Sequence, residues 1–559
     1  MNSISSTERV SASLDAPRYY LSNFQFVLDW VAARHDDLLD DAERGFLATF
    51  PRLPVASRAL LVRMVMRRGE VFRHSRLEYA EIGALEPALS PLLEAGFVED
   101  DPECDVGELF RQLRLPELRQ ALAGEIAAAG LSRSQGKAVL REALEPHLTR
   151  SRPLTEWWPE APDRLVRLAV MPLCDRLRLM FFGNMRQDWS EFVLAELGVQ
   201  RFETVPFDAG SRAFGCREEV DDYLALHQLR ERLDEGECPL ELGKRLDEAP
   251  PRNAWLASRR ARLLVRLGRE AERRGNVDAA LSYFERAGEG EGRIRRLRLL
   301  ERRGEHALAY ALLERAVPVG EHEAQALSRL RPRLCRRLGL PPPGRKPEVP
   351  SERFDLALSP HASGVELAVA EHLAGPEAPV HFVENALICG LFGLLCWDAI
   401  FAPLPGAFFH PFQAGPADLG REDFVARRRD RFDACLAELD DGRYRRSILD
   451  RWQSKHGLAA TFVHWERLSR PLVELALARL PPTHLRACFE RLLADPMANR
   501  SGLPDLIQFL PDGEAPGYRL IEVKGPGDRL QDNQRRWLRF FQAEDMPAAV
   551  CHVTWREAP

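Results

Sequence analysis

Between residues 518 and 524 the chain reads Tyr-Arg-Leu-Ile-Glu-Val-Lys, with Ile521 and Val523 alternating against Leu520, Glu522 and Lys524. A period of two predicts a strand with Glu522 and Lys524 on one face, their Cα atoms about 7 Å apart. Upstream, residues 505–510 predict a second strand, and Pro511-Asp512-Gly513 through Pro516-Gly517 supplies a turn that folds it back. Asp505 is thereby expected near Glu522. Residues 530–541 follow a helical period, so Gln534 and Trp537 share one face while Arg535, Arg536 and Arg539 point elsewhere. Residues 382–401 carry Glu384 and then an almost unbroken apolar run from 386 to 397, in which Gly390 and Gly393 allow close packing. That run falls short of the roughly 20 apolar residues that a bilayer span needs, and a buried core helix opened by a carboxylate is expected.

Further forward the pattern changes. Residues 221–340 form consecutive amphipathic stretches, with two similar helices at 276–287 and 304–316, before prolines at 341–350 break the pattern and predict a linker. Residues 19–100 alternate helical patterns and end in a helix-to-hairpin transition at 92–98. Two short helices are expected within 106–147, around the loop 130–137.

With 559 residues, 45% hydrophobic and 29% charged, the chain is expected to fold as several globular domains. Its ten cysteines show no C-x-x-C spacing and no paired Cys/His clusters, which argues against a zinc finger or a disulfide framework and points to a reducing cytoplasm. Residues 1–17 lack the apolar centre of a signal peptide, so secretion is not expected. The net charge of -6 lacks the overall basic footprint of nucleic-acid binding. Local arginine clusters qualify this: Arg58, Arg63, Arg67, Arg68, Arg73 and Arg76, and the arginine-dense stretch 259–303. Each is either a phosphate-binding surface or a solvated helical face paired with neighbouring glutamates.

The chemistry concentrates around Asp505, Glu522 and Lys524. Carboxylate oxygens suit Mg²⁺ or Mn²⁺, a backbone carbonyl such as that of Val523 can join them, and a lysine beside them can position water or stabilise a phosphate under attack. The same residues also fit an edge hairpin with a cross-strand ion pair, and Glu384 alone fits a solvated first-turn glutamate favoured by the helix dipole.

Pro504-Asp505, Glu522-Val523-Lys524 and Gln534-Arg535-Arg536-Trp537 resemble the PD-(D/E)xK nuclease core in its VRR-NUC form. More narrowly, residues 522–530 are similar to the corresponding run of the Fanconi-associated nuclease family, as are Tyr19-Tyr20-Leu21, residues 77–82, Ala95-Gly96-Phe97 and residues 393–398. The similarity thus extends over nearly the whole chain.

It implies a multidomain protein, mainly α-helical in its N-terminal and central regions, with a C-terminal α/β restriction-endonuclease-like domain. The domains expected are a winged-helix-like one at 1–104, a SAP-like one at 105–150, a helical one with tetratricopeptide-like repeats at 151–340, and a linker with the VRR-NUC nuclease at 341–559. In the family's terms Glu384, Asp505, Glu522 and Val523 hold Mn²⁺ or Mg²⁺, two ions in all. Lys524, Glu522, Asp505 and Gln534 serve catalysis, and Arg133, Lys137 and Arg529 contact DNA. Some members carry a basic residue where this chain has Asn533, in a pocket implicated in holding a DNA 5′-phosphate.

The activity implied is 5′-flap incision followed by 5′-to-3′ degradation of branched or flapped double-stranded DNA, in repair of interstrand crosslinks. A bacterial, cytoplasmic and nucleoid-associated setting without membrane contact is expected, since the zinc finger at the front of eukaryotic relatives has no counterpart. The alternatives are a Holliday-junction resolvase or restriction-like endonuclease on the same core, and a non-catalytic helical repair scaffold.

Overall fold

The computed structural model describes residues 18–132, 134–187, 189, 201–208, 210–247, 251–341, 344, 352–359, 363–511, 513 and 516–556. It divides into two compact units, one of Met1–Gln200 with Arg212–Asp221 and one of Arg201–Ser211 with Asp222–Pro559. Among the described residues no helix is long and apolar enough to cross a membrane.

In the first unit, helices Tyr19–Arg34, Val55–Val65 and Leu85–Glu94 stand with a small antiparallel sheet of β1 (Val71–Arg73), β2 (Val98–Asp100) and β3 (Leu165–Leu168). The sheet order is β1-β3-β2. Its central strand comes from beyond residue 150, so the front sheet is completed by chain that follows the expected 105–150 segment. That segment forms four short helices, Val106–Gln112, Leu115–Ala121, Ala123–Ala128 and Lys137–Leu144, rather than two. Pro116 in the first turn of the second suits a helix start, where no N–H is needed, and Leu109, Phe110, Leu118, Ile126 and Leu140 close a common core.

The front arginines are partly structural. Arg63 pairs with Glu81 at 2.5 Å, and the buried Arg73 reaches Glu117 and Asp163, each at 2.7 Å. Those two cations are spent on neighbouring carboxylates.

The second unit begins with a helical array that includes Ala254–Arg273, Val277–Ala287, Glu291–Arg303, His306–Glu314 and Gly320–Leu338. Successive helices pack through Leu263, Leu264, Leu267, Ala280 and Phe284. A Cβ at Gly268 would lie 2.5 Å from the Phe284 ring, so only glycine permits this approach. The array's arginines are widely paired: Arg302 with Glu272, Arg303 with Asp278, and Arg333 with Glu301.

A five-stranded sheet follows, in the order β4 (Glu352–Leu358), β8 (Ala548–Trp555), β7 (Tyr518–Lys524), β6 (Leu506–Phe509) and β5 (Val380–Phe382). β4, β8 and β7 run parallel, and β6 and β5 continue antiparallel. The two faces of β7 go to different cores. Ile521 and Val523 join the helix Val365–Leu373, while Tyr518 and Leu520 join the large core built by the chain between β5 and β6.

That intervening chain is helical, and its Ala386–Leu395 helix is wholly buried. The expected run 382–401 is divided: Phe382 ends β5, and the helix breaks at Cys396 before Trp397–Ile400. A Cβ on Gly393 would sit 2.8 Å from Phe462, which explains a glycine there.

Candidate active site

Antiparallel pairing sets Leu506 opposite Ile521, so one step further along the register Asp505 lies opposite Glu522. On its other side β6 pairs Leu506 with Phe382. Just past β5 the N–H groups of Val383 and Glu384 both donate to the Asp505 carbonyl, at 2.8 and 2.9 Å. Three segments remote in sequence are thus pinned together by backbone alone.

Glu384 is not in the first helical turn, as the sequence pattern suggested, but at the corner before it, with φ +37°. This left-handed conformation is uncommon for a residue with a side chain and costs on the order of 1 kcal/mol. It turns the chain out of β5. Asn385 joins the corner to the Gly502-Leu503-Pro504 loop, its Oδ1 accepting from the Leu503 N–H at 3.1 Å.

The side chains interlock. Asp505 Oδ2 accepts the Val523 N–H at 2.8 Å. Glu522, 1% exposed, receives at its Oε1 both the Lys524 ammonium at 2.6 Å and the Gln534 amide at 2.6 Å. Gln534 is held at its other end by the Gln531 N–H, 2.8 Å from its Oε1, at the start of helix Asp532–Ala543. Trp537 is buried below it, donating to the Asn499 carbonyl at 3.1 Å. Arg535 and Arg536 turn away, to Leu530 and Gln325, as the helical period predicts.

Burial pushes the Glu522 carboxyl up to about 8; the Asp505 charge adds to the effect and Lys524 opposes it. Asp505 is raised too, chiefly by burial, against the pull of the Val523 N–H and Lys524 and with the charges of Glu366 and Glu384 pushing it further. Both carboxyls are thus buried beside other negative charge, and Lys524 offsets only part of it.

Glu522 Oε2 is buried with no hydrogen-bond partner. An orphaned buried oxygen costs about 1–3 kcal/mol, and it fits a hard divalent cation, as does an all-oxygen donor set. Among the described residues no three His, Cys, Asp or Glu side chains yet converge on one ion-sized point. Glu522 is drawn to Lys524 and Gln534, and Glu384 leans toward Arg467 at 4.0 Å.

The other expected residues lie apart. Arg529 is exposed on the loop after β7. Asn533 packs against Gly502, where a Cβ would meet it at 2.8 Å and where φ is +91°. Lys137, in the first unit, opens its helix and donates from Nζ to the Leu113 carbonyl at 2.8 Å. Arg133 falls outside the described residues. Sequence reasoning missed Glu366, in the first turn of helix Val365–Leu373, together with Asn385 and Arg467. A first-turn acid before a short strand is a weak signal for Glu366, and Asn385 follows Glu384 directly; Arg467 carried none.

Comparison with known proteins adds a second line of evidence. Family profiles match residues 18–99 (FAN1, HTH domain), 105–157 (Fanconi anemia-associated nuclease SAP domain) and 439–555 (VRR-NUC domain). A Fanconi-associated nuclease 1 homolog of Pseudomonas aeruginosa is 49% identical over 549 residues, covering 98% of this chain and 97% of that protein. The human Fanconi-associated nuclease 1 is 25% identical across 96% of this chain, which spans 62% of the human protein. A crystal structure of paFAN1 bound to 2nt 5′-flap DNA with gap superposes with a TM-score of 0.90 at 48% identity, covering 98% of this chain and all of that one. Identity of this extent, with a VRR-NUC domain whose chemistry depends on a divalent metal, places the chain in the Fanconi-associated nuclease family, as a nuclease.

Proposed function

We propose that the chain is a structure-selective DNA nuclease that incises the 5′-flap strand near its junction with duplex and then degrades 5′ to 3′, using two Mn²⁺ or Mg²⁺ ions. Glu384, Asp505, Glu522 and the Val523 carbonyl are the groups that would hold the ions. When bound, a divalent ion acidifies water and neutralises charge on the phosphate under attack. The observation that carries this reading is the buried, unpartnered Glu522 Oε2 beside Asp505 and Lys524.

The protein groups have separate tasks. Gln534 and Lys524 fix the Glu522 carboxylate from one side, leaving its other oxygen open. Because burial raises that carboxyl to about 8, Glu522 would have to give up its proton to serve as a ligand near neutral pH. Lys524, held on Glu522 Oε1, would keep its remaining N–H donors for the attacking water or the developing charge on phosphate, a stabilisation worth about 3–4 kcal/mol where the site excludes water.

The paFAN1 complex supports a 5′-flap substrate, and the SAP match supports a further DNA contact through Arg133 and Lys137, with Arg529 after β7 as another candidate. A branched duplex is cheaper to bend than a continuous one, which favours such substrates when several surfaces grip it. Removal of interstrand crosslinks at the nucleoid of a bacterial cytoplasm is the process this activity suits.

Strand-labelled 5′ flaps, nicked duplexes, 3′ flaps and four-way junctions test the reading with wild type, Asp505→Asn and chelator. The expected products are short 5′-end fragments from 5′ flaps, formed only with metal and only by wild type. Cleavage confined to the 3′-flap strand, symmetric cutting of four-way junctions in preference to flaps, or turnover by metal-stripped protein would each reject it.

A further inference from the structure

One cation beside the site is unclaimed by the motif. Arg467 ends the short turn Trp465–Arg467 within the helical chain between β5 and β6. Its backbone is anchored on both sides. The Trp465 indole donates to the Leu458 carbonyl at 2.6 Å, and the Trp452 indole to the Leu468 carbonyl at 2.8 Å. Leu468 is fully buried against Gly390, at whose Cβ position its Cδ2 would be 2.7 Å away. This segment therefore presents the Arg467 side chain from a fixed base on the core helix.

The guanidinium lies over the Phe382 ring, 4.6 Å from its centroid, and its Nη1 stands 4.0 Å from Glu384 Oε2. The stack orients its plane. At 4.0 Å the charge attracts Glu384 without a hydrogen bond, and 46% of the side chain remains exposed.

Other arginines of this helical chain differ. Arg427 and Arg428 are spent on Asp418, Arg451 on Asp398, and Arg491 on Glu321. Among the described residues the Arg467 guanidinium donates no hydrogen bond, so its N–H fork is available to an outside acceptor. A planar fork beside a metal-binding acid, open to solvent, matches the non-bridging oxygens of a phosphodiester.

We infer that Arg467 is a substrate-binding residue of the nuclease centre, and that its guanidinium takes the oxygens of one DNA phosphate next to Glu384, either the scissile phosphate or its immediate neighbour. The inference rests on the nuclease reading above. Attraction to Glu384 holds the fork in place before DNA arrives, and its exposed N–H groups can take the phosphate oxygens whether or not an ion is bound.

The test uses the full chain with Arg467→Gln and Arg467→Lys. Dissociation constants are measured in chelator for 5′ flaps carrying a single methylphosphonate at each position across the junction, with Mn²⁺ calorimetry on the DNA-free protein and single-turnover cleavage alongside. At one position the methylphosphonate should weaken wild-type binding while costing Arg467→Gln nothing further. The salt slope of that variant should fall by about one, and its cleavage rate by about 100-fold. Arg467→Lys should recover only part, since a point charge lacks the fork.

Mn²⁺ affinity should stay within about twofold. A drop of about tenfold or more would show that Arg467 acts through Glu384 and would overturn the inference. Equal sensitivity of wild type and both variants to every methylphosphonate would overturn it as well. Wild type that cuts no flap with Mn²⁺ would reject the nuclease reading itself.

Discussion

Glu522→Gln should make the metal-free nuclease sheet more stable, by an amount that grows with pH. The Glu522 carboxyl is raised from 4.5 to about 8. Below 4.5 the folded and unfolded chains both carry its proton, and the raised value costs nothing. Between 4.5 and 8 the unfolded chain releases the proton and the folded chain keeps it, so stability falls by about 1.4 kcal/mol per pH unit, and above 8 the loss is complete. The loss is about 3 kcal/mol at pH 7, with a ceiling of about 5 kcal/mol above pH 8.

Glutamine keeps a neutral oxygen for Lys524 and Gln534 and does not titrate. In chelator, hydrogen exchange of the β7 amides at pH 5, 7 and 9, corrected for intrinsic rates, reads the opening free energy of this sheet. The variant should match wild type near pH 5 and gain protection over it by several kcal/mol at pH 9. Added Mn²⁺ should reverse the order, because only wild type binds it. A difference that is constant with pH, or wild type better protected at pH 9 without metal, would mean that Glu522 is ionised throughout and would refute the burial argument.

Four further outcomes follow from the same geometry. Mn²⁺ affinity of the stripped protein, by calorimetry, should rise about tenfold per pH unit up to about 8 and then level off, because Glu522 must lose its proton first. Gln534→Ala removes the bond to Glu522 and the helix-start contact to Gln531; it should cost about 2–3 kcal/mol of local stability and slow single-turnover cleavage while leaving flap affinity unchanged. Glu366→Gln should weaken Mn²⁺ binding and lower the Asp505 pKa seen by carboxylate NMR, since Glu366 pushes that pKa up. Reversing Arg133 and Lys137 to glutamate should weaken flap binding across sequences and flatten its salt dependence; unchanged affinity and slope would remove the SAP-like loop from the interface.

The local parts of the site were legible because each is written in a short window. Strand β7 lies between Gly517 and Gly525 with a period of two, and the helix carrying Gln534 and Trp537 shows its face directly. Glu384 was reached only through family resemblance, since the helical chain between β5 and β6 separates it from Asp505. Arg467 and Glu366 arrive from segments with no motif, placed by tertiary packing alone. The same blindness hid β3, whose partners lie far upstream, and the fate of Arg63 and Arg73, whose carboxylates at Glu81, Glu117 and Asp163 are long-range partners. Periodicity reports which face is buried, not which distant chain covers it.

The long excursion from Val383 to Asp505 also bears on when the enzyme becomes dangerous to DNA. The two N–H bonds to the Asp505 carbonyl close a loop that contains the whole helical core, and closure entropy and packing must be met before that clasp forms. Lys524 and Gln534 follow still later in the chain. During synthesis the arginine-rich array emerges first, and the cutting centre last. A nascent or truncated chain can hold the helical array without possessing a complete cluster of carboxylates. The connectivity is in effect a safety interlock: the carboxylates cannot come together until the helical core between Val383 and Asp505 has closed.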